Sequence, residues 1–140
     1  MAKPSPVTGQ ETTRDIPTDE WIPFLAEFTR ENRGAHAVLE VFGEGVGRQV
    51  ATEDRPFDGI AADVKDRERS VWISFGSRPT GQFSHGVPGA TAIRVRQATA
   101  DHGAAMEIDS RDGTMTLLTL SKPEDYALPP AESGKKLRTR

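Results

Sequence analysis

Two rhythms of apolar positions run through this chain, and the change between them falls near residue 35. Before it, Trp21, Phe24, Leu25 and Phe28 recur at the spacing of one helix face. Thr18 or Asp19 suits the N-cap, and Asp19 and Glu20 place negative charge at the positive end of the helix dipole. Pro23 sits in or just past the first turn, where its missing N–H costs little. Arg30 and Arg33 favour the other end, and Gly34 can take the left-handed position that ends a helix. The pattern predicts a helix over about residues 19–32 whose aromatic stripe has to be buried.

From Ala35 the period becomes two. Ala35, Ala37, Leu39 and Val41 fall on one face, with His36, Val38, Glu40 and Phe42 on the other. Both faces are largely apolar, as in a strand covered on two sides, and the helix is the natural cover for one of them. Further strands are predicted at about 47–54, 58–65, 70–76, 83–87, 91–98, 104–110 and 114–120. No second helical pattern separates them, so parallel crossover units are disfavoured and short antiparallel connections expected.

Two hairpins can be assigned a register. Asp112-Gly113 is a type I′ signal, and closing the turn there sets Ile108 opposite Leu117, Met106 opposite Thr119 and Ser110 opposite Met115. A turn at Asp101-His102 sets Val95 opposite Ile108, Arg96 opposite Glu107 and Arg94 opposite Asp109, giving two opposite-charge pairs at one register.

Composition narrows the class. The length of 140 residues suits a single domain. Residues 1–14 and 121–140 are polar, without apolar period, and expected to be disordered tails around a domain spanning 15–120. The absence of cysteine excludes disulfides, thiolate catalysis and iron–sulfur ligation. No signal-peptide run opens the chain and no apolar stretch reaches membrane-span length, so a cytoplasmic location is expected. Net charge is −3, with the acidic excess in the body and a basic end at Lys135, Lys136, Arg138 and Arg140. An acidic body disfavours nucleic acid as a partner, and the basic end reads as a solubilising tail.

Few residues carry candidate chemistry. The run Phe42-Gly43-Glu44-Gly45-Val46-Gly47 resembles the phosphate-cradling hairpin of protein kinases, but its spacing is one residue short and no kinase motif follows. A glycine-rich turn is the plainer reading. None of His36, His85 and His102 has metal-ligand spacing to another donor. His85 shares a face with Phe83 and Val87, which would perturb its titration, while adjacent Ser84 points the opposite way and cannot serve as its nucleophile. Arg48 lacks an assigned partner. Trp72 shares a face with Ser74, away from Val71 and Ile73, and either packs under the helix, the preferred reading, or stands exposed as a binding platform.

Asp15-Ile16-Pro17 before the Trp21-x-x-Phe24-x-x-x-Phe28 helix resembles the opening of a small uncharacterised bacterial family, a domain of unknown function. The likeness continues through Asn32-Arg33-Gly34, Leu39-Glu40-Val41 and Asp112-Gly113-Thr114. It implies a bacterial cytoplasmic protein and brings no catalytic residues.

The expectation is therefore an α+β domain: an N-terminal helix packed on a bent antiparallel β-sheet of six to eight strands, able to curl into a partly closed barrel. No catalytic residue, cofactor or metal is assigned. A non-enzymatic binding or accessory module is preferred over a small-molecule-binding protein or modest enzyme with a pocket between helix and sheet near His85. The candidate binding residues are His85, Arg48 and Trp72. The partner is a protein or small molecule rather than nucleic acid or membrane, and the chain a monomer or weak homodimer.

Overall fold

The computed structural model describes residues 13–43, 45, 47–77, 81–99 and 103–121. The remainder of both expected tails, the turn at Asp101-His102, and Glu44 and Val46 of the glycine-rich run lie outside the described residues.

Strand β1 (Thr13–Asp15) leads through a 3-10 turn at Thr18–Glu20 into helix α1 (Trp21–Asn32). Then come β2 (His36–Gly43), β3 (Gly47–Lys65), β4 (Glu68–Ser77), β5 (Gly81–Val87), β6 (Ala90–Arg96), β7 (Ala105–Ser110) and β8 (Met115–Ser121). All strand pairs are antiparallel, in the order β1-β6-β7-β8-β2-β3-β4-β5. The fold is α+β, as expected. The sheet keeps two edges, β1 and β5, and does not close into a barrel.

The helix is entered differently from expectation. No side chain caps it; instead the Glu20 N–H donates to the Pro17 carbonyl within the 3-10 turn. At the other end Gly34 takes φ +93°, as its position predicts. Trp21, Leu25 and Phe28 are buried, and the Trp21 indole N–H donates to the Ile16 carbonyl at 3.0 Å. That bond satisfies the one polar atom of a large buried ring. Residues Thr13 and Arg14, expected in a tail, pair with Arg96 and Val95 of β6.

The stretches 47–54 and 58–65 form one continuous strand rather than two. Pro56 opposes His36 on β2, and from Phe57 the strand pairs with β4 instead. A proline is tolerated at such a change of partner because its missing N–H falls where the ladder to β2 ends. The edge of β3 left free by β2 is taken over by the helix. Gly34 N–H donates to the Phe57 carbonyl at 2.8 Å, and the Thr29 hydroxyl both donates to the Ile60 carbonyl (3.1 Å) and accepts from its N–H (3.0 Å). The helix therefore docks along β3, and its buried Trp21, Leu25 and Phe28 share one core with Ala37 and Leu39 of β2. Its aromatic partner is Phe57, edge-on to Phe28 with centroids 5.9 Å apart. From the other side of the core come Ile93, Met106, Ile108 and Leu118, all buried.

Both hairpin registers differ from expectation. Ile108 faces Thr116 and Met106 faces Leu118, one residue from the predicted pairing, so Leu118 and Leu120 enter the core while Leu117 turns outward. The cause is the turn. Gly113 has φ +94° while Asp112 is not in the positive-φ region, whereas type I′ needs both. Gly113 N–H donates to the Ser110 carbonyl and Ser110 N–H to the Thr114 carbonyl, giving a three-residue loop. Asp112 braces it by accepting from the Thr114 N–H and hydroxyl, bonds that hold its carboxyl below the usual range. On the other side of β7, Val95 faces Met106 and Arg94 faces Glu107. That is a shift of two residues, which preserves the faces. Arg94 still reaches Asp109 (2.9 Å) as well as Glu107 (3.0 Å), while Arg96 stands opposite Ala105 instead of Glu107 and donates to the Gly103 carbonyl.

Candidate functional site

Alternation along β4 decides what the sheet shows to solvent. Val71, Ile73 and Phe75 are buried, so Trp72 is carried to the opposite side and is 50% exposed. This corrects the preferred expectation that it packs under the helix, whose aromatic needs Phe57 meets. Trp72 pairs with Ala61 on β3 and Gly86 on β5. Around it on the same face stand Gly59, Asp63, Ser70, Ser74 and Ser84. Apart from Asp63 these side chains are short and uncharged. A large ring thus rises from a low floor.

Gly86 explains how the ring is held. A Cβ at that position would lie 2.6 Å from Trp72 Cζ3 and 2.8 Å from Cη2, so the six-membered ring covers the glycine backbone. Any side chain there would push it away. The signal was present in the chain as a glycine inside a strand, which marks close approach by a neighbour. It becomes readable only once the register places Gly86 opposite Trp72.

The three candidate residues do not converge. His85 lies opposite Ile73, on the core-facing side with Phe83 and Val87, and is half-buried. Burial pushes its pKa below the ordinary histidine value. Ser84 is exposed on the other face, so the adjacent pair is no nucleophile–base couple. The helix lies against β3, with β4 between β3 and the β5 that carries His85. Arg48 has a partner that sequence reasoning did not find: its guanidinium is ion-paired with Glu40 on β2. Gly45 and Gly47 of the neighbouring turn have φ +82° and +70°, so these glycines supply positive φ.

Among the described residues no group of three or more His, Asp or Glu side chains could hold a metal ion. Nor, among them, is any helix long and apolar enough to cross a membrane. The arrangement presents a shaped surface with one aromatic anchor.

Comparison with known proteins gives one match. The model for a family of unknown function, DUF5335, matches residues 12–129. No curated protein and no solved structure matches the chain.

Proposed function

The chain belongs to the DUF5335 family, whose function is unknown, and from that premise we propose that it is a non-enzymatic binding module that docks a protein partner on the Trp72 face of β3, β4 and β5. The observation that carries this reading is a half-exposed tryptophan whose ring abuts a glycine, amid residues too short to hide it. Tryptophan is among the residues that most often dominate binding energy, because it offers a large rigid area at little entropic cost. The serines around it supply hydroxyls at the rim, and burying them desolvates no long charged side chain. The cytoplasm is the setting we propose, since a cysteine-free chain suits a reducing compartment.

The test is a photo-crosslinking residue placed at Ala61, the exposed neighbour of Trp72, in cells producing the protein. A discrete protein adduct that disappears in the Trp72→Ala variant is expected. No adduct, or the same adduct without the indole, contradicts the proposal.

A further inference from the structure

The two edges of the sheet are unlike. β1 has three residues, two of them charged (Arg14 and Asp15), and runs into Pro17. Shortness, charge and proline are the usual devices that stop an edge from recruiting another strand. The opposite edge is neither short nor charged, and its proline, Pro88, lies just past the strand's end as Pro17 does at β1. β5, Gly81–Val87, is seven residues long and contains no charged residue and no proline. It pairs with β4 without a register shift, so no bulge twists it away. Among the described residues no strand pairs with its outer side.

Its side chains are also left unfinished. On β4 the core-facing Ile73 and Phe75 are fully buried, whereas their β5 partners His85 and Phe83 are only half-buried. Phe83 stacks on Phe75 with centroids 6.0 Å apart, and the Arg55 guanidinium lies 5.9 Å from its ring centroid. One flank of the ring is thus occupied, and the flank toward the free edge is where an added strand would stand.

We propose that β5 pairs antiparallel with β5 of a second copy of this chain, about a two-fold axis through Ser84. Ser84 is the midpoint of Gly81–Val87, so this register uses the whole strand. It sets Phe83 beside His85 of the second copy and Gln82 beside Gly86, each twice by symmetry. The core side thereby gains two aromatic–imidazole neighbours, and the outer side gains only small or uncharged ones. A strand without charge can meet itself with no like-charge opposition, which is the condition a self-complementary interface has to satisfy. An axis perpendicular to the sheet keeps both Trp72 faces on the same side of the joined sheet and leaves them open. The pairing uses the edge of β5 rather than the Trp72 face, and Ala61, where the crosslinking residue is placed, lies two strands in from that edge.

Sedimentation velocity over micromolar to about 1 mM chain is the test, a range spanning weak association. The chain is expected to pass from monomer to dimer. Ser84→Lys, on an exposed position, is expected to raise the dissociation constant about tenfold or more by placing two ammonium groups together, with its thermal melt unchanged. Because the chain has no cysteine, Ser84→Cys provides a single thiol. Oxidation is expected to link two copies through it, and Ala61→Cys is expected to stay unlinked. A chain monomeric throughout the range, a dimer that survives Ser84→Lys, or equal linking at both cysteine positions overturns the proposal.

Discussion

Trp72 and Gly86 form a matched pair across β4 and β5: the ring occupies the volume that any β-carbon on the glycine would need. Gly86→Ala is therefore expected to swing the indole off the strand while the sheet survives, because Trp72 is exposed and free to take another rotamer. The stability change should stay within about 1 kcal/mol, the cost of an off-rotamer or displaced surface ring. Nuclear Overhauser contacts between the Trp72 ring and residue 86 check it directly: present with glycine, lost with alanine.

Trp21 has the opposite role. It is 1% exposed, bonded to the Ile16 carbonyl, and covered by the Arg69 guanidinium 5.8 Å from its ring. Trp21→Ala removes a buried ring and orphans that carbonyl, and should cost about 3–5 kcal/mol. Urea denaturation reads the loss. A variant as stable as the parent would mean that α1 is not docked.

His85 makes stability depend on pH. Its folded pKa is lowered by burial, so between the folded and unfolded values the unfolded chain binds the extra proton and stability rises with pH. The contribution is complete above the unfolded value of about 6.5 and is lost as pH falls through it toward the lower folded value. Urea midpoints at about pH 7.5 and pH 5 should differ more in the parent than in His85→Gln. An NMR titration of the imidazole should place its midpoint below the ordinary histidine range.

Arg94 bridges Glu107 and Asp109 on the neighbouring strand. Arg94→Met leaves the two carboxylates side by side along β7 without their shared cation. A loss of about 1 kcal/mol at low salt is expected, shrinking as salt screens the repulsion. Melts at low and high ionic strength test the sign of that dependence.

How far the chain could be read follows from the range of each interaction. The Trp21–Phe28 stripe and the alternation through Val71, Ile73 and Phe75 are local, and the helix and strand faces were legible from them. Registers were not, because a two-residue and a three-residue loop both accept Asp112-Gly113, and only the φ of Asp112 separates them. The continuity of β3 was hidden because Pro56 and Gly59 look like a break until β2 and β4 are seen to share the strand. Trp72 was correctly placed opposite Val71, yet its exposure depended on Phe57 being the helix's partner. Arg48 and Glu40 are eight residues apart and meet only through the β2–β3 hairpin.

One tryptophan, Trp72, faces outward while the other, Trp21, is sealed, and acrylamide quenching of intrinsic fluorescence reads that contrast. The native chain should show two emitting populations, one readily quenched and one protected, and Trp72→Phe should leave only the protected one, with the fold intact. A Trp72→Phe variant whose remaining emission is freely quenched, or a parent in which both indoles are shielded, would contradict it.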